Sequence, residues 1–134
     1  MLNYPIKIIL AFGEAISGNV KIMNWLLKNG YPELGALANA IQTSYTAYDW
    51  LVNNKFLQYA AFCSAIYGDD NAMNWLKKYK FEFLFTLAKA SMGDEEAYSE
   101  IKKANYLPFL IIAKKIQFVR EQKINDQADY HKFR

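Results

Sequence analysis

A spacing of 25 residues governs this chain. Trp25, Trp50 and Trp75 mark it, and other columns keep the same register without a gap. Ala15, Ala40, Ala65 and Ala90 form one column; Phe12, Leu37, Phe62, Leu87 and Ile112 form another. Gly13, Ala38, Cys63, Ala88 and Ala113 are all small. Ile6, Tyr31, Phe56, Phe81 and Tyr106 are all large, as are Ile9, Leu34, Tyr59, Leu84 and Phe109. Leu26, Leu51, Leu76 and Ile101 match, and so do Ile22, Ala47, Ala72 and Ala97. An internal period of this length marks stacked units, none of which can bury its apolar surface alone. The units run 6–30, 31–55, 56–80 and 81–105, followed by a divergent fifth from Tyr106.

Each unit reads as two short helices. Tyr31, Leu34, Leu37, Ala38 and Ile41 recur at the period of one helical face, and Ala47, Trp50 and Leu51 do the same in the second half. Between the halves lie Gly18-Asn19, Thr43-Ser44, Gly68-Asp69 and Gly93-Asp94. Glycine suits the left-handed position that closes a helix, while Asn, Ser and Asp accept hydrogen bonds from the first amides of the next. The fold class expected is all-α: an α-solenoid of four helical hairpins plus a longer C-terminal capping helix. With axes ~8–10 Å apart it would be a rod or gentle arc roughly 40 Å long, touching only neighbour to neighbour.

The fifth unit changes character. Lys115 replaces the alanine column, and no Gly-Asp pair follows Ile116. The apolar series Phe109, Ile112, Ala113, Ile116 and Val119 therefore predicts one helix within a cap at 106–123, polar on its outer side. A single domain over 1–123 and a mobile tail over 124–134 are expected.

The run Gly68-Asp69-Asp70-Asn71-Ala72-Met73-Asn74-Trp75-Leu76, preceded by Ala65-Ile66, resembles the cadence of ankyrin-like, Sel1-like and tetratricopeptide-like helical hairpins, on a 25-residue period. The resemblance implies an array of α-hairpins and, by analogy, a binding role.

Composition removes whole classes of function. One Cys permits no internal disulfide, and one Cys with one His makes no conventional zinc site. No phosphate-cradling glycine loop or nucleophile elbow occurs, and Asp69, Asp70, Asp94, Glu95 and Glu96 sit where helices begin, which assigns them to capping. Cys63 shares its column with Gly and Ala and reads as a buried small residue. The tryptophans read as packing between units. No catalytic residue, metal or cofactor is expected, and no apolar run is long enough to span a bilayer. A cytoplasmic protein is the expectation.

What remains is binding. The leading expectation is a non-enzymatic protein–protein interaction module or small scaffold, with a protein, a peptide or a further copy of itself as partner. Columns that vary along the array are the place to look. Glu14, Asn39, Ser64, Lys89 and Lys114 shift from acidic to basic, and Tyr67, Phe83, Phe85 and Met92 are apolar in columns otherwise polar or small. These nominate Tyr67, Phe83, Phe85, Met92, Lys89 and Lys114 as partner-binding residues, with one sticky patch near units three and four. The alternative is nucleic-acid or acidic-partner binding at the C-terminal end. Residues 114–134 hold six basic and three acidic groups, whereas residues 1–113 are balanced at ten of each. Lys89, Lys102, Lys103, Lys114, Lys115, Arg120 and Lys123 would contribute. No basic stripe continues through the first three units, which disfavours a nucleic-acid backbone as partner.

Overall fold

The links between helices repeat as faithfully as the sequence. In a computed structural model that describes the backbone of residues 1–132 and the side chains of 1–126, φ is positive at Gly18, Thr43, Gly68 and Gly93, and again at Gly30, Lys55, Lys80 and Asn105. At all eight links the next amide donates to the carbonyl five residues back, as from Asn19 to Glu14 and from Tyr31 to Leu26. This closure satisfies the last carbonyls of each helix. Asn19, Ser44, Asp69 and Asp94 then cap the following helices, accepting from the amides of Ile22, Ala47, Ala72 and Ala97 at 3.0–3.2 Å. The bond from Ala97 holds the Asp94 carboxyl below its ordinary range.

Thr43 stands where the other three units have glycine. A β-branched residue at a φ of 75° carries a steric cost of about 1–2 kcal/mol. Thr43→Gly is therefore expected to raise the unfolding free energy by about 0.5–1 kcal/mol, after the extra freedom of glycine in the unfolded chain is subtracted. Urea titration checks this, and an unchanged or lower midpoint would count against the strain.

These links cut the chain into helices, with no strand among the described residues. The first helices of the units are α1 (Ile6–Ile16), α3 (Pro32–Ile41), α5 (Leu57–Ile66) and α7 (Glu82–Ser91); the second are α2 (Val20–Lys28), α4 (Tyr45–Asn53), α6 (Asp70–Lys78) and α8 (Glu95–Lys103). The last is α9 (Leu107–Lys132).

The first helices pack in sequence, α1 on α3, α3 on α5, α5 on α7 and α7 on α9, and α9 packs back on α1. The carboxyl ends of α1, α3 and α5 lie together, beside the middle of α9. Gln42 Nε2 donates to the Ile16 carbonyl and Tyr67 Oη to that of Ile41, both at 2.6 Å, and Arg120 Nε donates to that of Ile66 at 2.5 Å. At the other end Tyr4 meets the Tyr31 ring edge-on at 5.9 Å, and its hydroxyl lies 3.4 Å from that of Tyr59. Five helices running the same way thus form a closed inner ring. The columns headed by Ile9, Phe12 and Gly13 are all buried, and so are Ile16, Ile41, Ile66 and Ile116. Ser91 occupies the remaining place in that last column and donates to the Leu87 carbonyl at 2.7 Å. Outside the ring, α2 lies over the seam of α1 and α3, α4 over α3 and α5, α6 over α5 and α7, and α8 over α7 and α9.

The closing contact departs from the neighbour-only packing expected. A Cβ on Gly13 would lie 3.1 Å from Ile112 Cδ1, so the small column is what lets α9 approach α1. Lys115, the residue that interrupts the alanine column, reaches across the junction to Glu14 at 3.1 Å. The last helix also differs from expectation. Its backbone continues past 123 to Lys132, with no Gly or Pro after Pro108 to stop it. The tail expected at 124–134 is thus helical through 132, while residues 133–134 and the side chains beyond 126 lie outside the described residues.

Candidate functional site

Three of the six nominated residues meet. Phe85, Lys89 and Met92 line an open groove of about 780 Å³ between α6 and α7, opposite Asp70, Met73 and Asn74. The Lys77 and Lys89 ammonium groups stand 5.9 and 5.6 Å from the Phe85 ring, so the patch is aromatic with cationic shoulders rather than bare hydrocarbon. Lys89 also lies 3.7 Å from Asp94.

The other three are elsewhere. Tyr67 is half-buried and its hydroxyl is engaged by the Ile41 carbonyl; burial pushes the phenol up to about 12. It belongs to the column Ser17, Gln42, Tyr67, Met92 and Gln117, in which Gln42 and Tyr67 tie each unit to the one before. Met92 has no donor to offer, and Arg120 supplies the equivalent bond from α9. Phe83 packs edge-on against Tyr106 and Phe109, with centroids at 5.7 and 4.8 Å, and so joins α7 to α9. Lys114 lies on α9 with its ammonium 4.7 Å from the Tyr98 ring.

The tryptophans do pack between units, though not in the core. Trp25, Trp50 and Trp75 stack on Tyr31, Phe56 and Phe81 at centroid distances of 6.5, 5.8 and 5.6 Å, and Trp25 stays 46% exposed. Glu100 takes the fourth place in that column, which leaves Tyr106 to pack on Phe83 instead. Cys63 is 5% exposed, and burial pushes its thiol up to about 12. The thiolate is the reactive form, so the folded protein is expected to leave Cys63 unmodified by an aqueous aromatic disulfide reagent that labels the urea-unfolded chain completely. Rapid labelling of the native protein would mean that the column opens.

Four of the seven basic residues of the alternative reading are engaged within the chain. Lys115 pairs with Glu14, Arg120 bonds a carbonyl, Lys89 lies near Asp94 and Lys114 covers Tyr98. Among the described residues no group of three or more His, Cys, Asp or Glu could hold a metal ion. No helix among them is long and apolar enough to cross a membrane.

The surface that the sequence reading missed is the outer side of α9. Expected to be polar, it carries Leu107, Ile111 and Phe118 at 52%, 49% and 66% exposure. With Ser17, Tyr98, Leu110, Lys114 and Lys115, Ile111 and Phe118 line an open groove of about 370 Å³ that is mostly apolar. On the adjoining flank of α1, Ile6 and Leu10 are also exposed. The signal was present in the columns. Ile111 stands where other units have Ala11, Ala36, Ala61 and Thr86, and Phe118 stands where they have Gly18, Thr43, Gly68 and Gly93.

Comparison with protein-family models, with curated proteins and with solved structures finds no match to this chain. Its functional reading therefore rests on its own surfaces.

Proposed function

We propose that the chain is an α-solenoid of four hairpins and one long helix, wound tightly enough for its first and last inner helices to meet. It serves as a non-enzymatic protein-interaction module whose contact surface is the seam of α9 and α1. The observation that carries this reading is the exposed apolar strip Leu107, Ile111 and Phe118 on α9, with Ile6 and Leu10 also exposed on α1, the helix against which α9 packs. Large side chains left in water along one groove favour association, since covering them removes apolar area from solvent. The groove of Phe85, Lys89 and Met92 is the weaker candidate because its aromatic ring is already flanked by Lys77 and Lys89. A cytoplasmic setting suits the single buried thiol of Cys63.

The test is a photoreactive side chain placed singly at Ile111, Phe118, Phe85 or Tyr45 in the full chain within its native cells. Tyr45, 83% exposed on α4, serves as the control. Discrete adducts from 111 and 118, with none from 45, are expected. Absence of any adduct from the seam would overturn the reading, and adducts from 85 alone would move the surface to the α6–α7 groove.

A further inference from the structure

The inner ring has five seams, and among the described residues outer helices lie over four of them. α2, α4, α6 and α8 cover the seams from α1–α3 round to α7–α9, whereas none packs on both α9 and α1. The four covered seams show how this molecule holds an outer helix. Each such helix opens on a capping Asn, Ser or Asp. Three residues on comes Ile22, Ala47, Ala72 or Ala97, and seven residues on comes Leu26, Leu51, Leu76 or Ile101, which is driven between two inner helices and is 0–2% exposed. In three of the four, the residue before that leucine is a tryptophan stacked on the large residue at the head of the next inner helix.

The α9–α1 seam presents the receiving half of the same interface. Ile6 stands in the column of Tyr31, Phe56 and Phe81, on which those tryptophans stack, and it is 65% exposed. Leu10 stands in the column of Gly35, whose Cβ would lie 2.8 Å from Leu27 of the preceding outer helix; Leu10 is 45% exposed. On the opposite bank are Ile111 and Phe118. Lys114, whose ammonium lies 4.7 Å from the Tyr98 ring, shares the column of Lys89, which combines a ring contact to Phe85 at 5.6 Å with a pair to Asp94, the cap of α8, at 3.7 Å. The Lys115–Glu14 pair crosses the seam with side chains 28% and 52% exposed, and such half-solvated pairs open at little cost.

We infer that the α9–α1 seam binds an amphipathic helix of a partner protein, running antiparallel to α9. Its pattern is an aspartate cap set against Lys114, a small residue three places on, an aromatic at six and a leucine at seven. This inference rests on the interaction reading above and specifies the partner for it. A second copy of the chain is not the occupant, because its own helices of this pattern have their leucines buried in their own outer layer.

The probe is a fluorescein-labelled, side-chain-stapled peptide copying Asp69–Lys80 of this chain, titrated with the full protein and followed by anisotropy. The staple supplies the helicity that so short a peptide lacks in water. Saturable micromolar binding is expected, weakened about tenfold or more by Ile111→Asp or Leu10→Asp in the protein, or by Leu76→Ala in the peptide. Both protein positions are exposed, so circular dichroism should show those variants folded. Lys114→Glu should weaken binding several-fold, and a peptide carrying Asp69→Lys should regain it. No saturable binding, or binding indifferent to Ile111→Asp, overturns the inference. So does sedimentation showing a dimer that Ile111→Asp dissociates. If the peptide fails while the photoreactive residue at 111 still captures a partner, only the helix pattern falls; loss of both removes the interaction reading as well.

Discussion

Excision of residues 56–80 is expected to unfold the chain, not to shorten it. The sequence columns alone argue the opposite. Phe81 would follow Lys55 just as Phe56 does, so the cut joins matching interfaces, and an open stack would simply lose one unit. The ring changes that outcome. With α5 gone, α3 must meet α7 while α9 still meets α1, and the remaining inner columns must pack around a smaller circle. Arg120 loses its acceptor on Ile66, and Phe12, Leu37, Leu87 and Ile112 lose Phe62 from their shared layer. Interiors packed at crystal-like density do not absorb such a change by adjusting rotamers. The excised protein should lose most of the roughly 5–15 kcal/mol of net stability usual for a domain. Far-ultraviolet circular dichroism with urea titration decides it. A cooperative transition near the full-length midpoint would show that closure contributes nothing.

Phe12→Ala is expected to cost about 3–5 kcal/mol, the usual range for deleting a fully buried aromatic ring and leaving part of its volume empty. Phe12 has no solvent exposure and lies on α1, one residue before the glycine against which α9 packs. Its loss should therefore loosen the core and the closing contact together. Tyr45→Ala, at the most exposed of the large side chains, should shift the urea midpoint by no more than about 0.5 kcal/mol in equivalent stability. Equal effects at the two positions would contradict a close-packed ring interior.

The helices and their caps were readable because their causes are local. Gly18, Gly68 and Gly93 announce left-handed closures, and Asn19, Ser44, Asp69 and Asp94 announce caps, within a few residues of the structure they set. Lys55 and Lys80 adopt the same left-handed backbone without a glycine to signal it; there the repeat imposes the conformation and the residue tolerates it. Closure was not readable. It depends on a small rotation accumulated over every unit, which no single column encodes, although the Lys115 and Glu14 charges that meet across it were visible as a break in the alanine column and an acid at the head of a variable one. Tyr67 shows the opposite error. Its aromatic ring in a polar column suggested a contact for a partner, yet its hydroxyl is used inside the fold as the donor to the Ile41 carbonyl, as the Gln42 amide is to that of Ile16.

The bond between Lys115 and Glu14 joins residues 101 apart in the chain, and this sets an order on biosynthesis. Each hairpin can form soon after it leaves the ribosome, since its contacts are local and form without a long search. The flank of α1 around Gly13 cannot be covered until α9 has been made. Throughout translation of the intervening units, a nascent open arc would carry that flank bare, along with the growing edge of each new inner helix. Ring closure is then a single late event, made when α9 emerges and swings back onto α1.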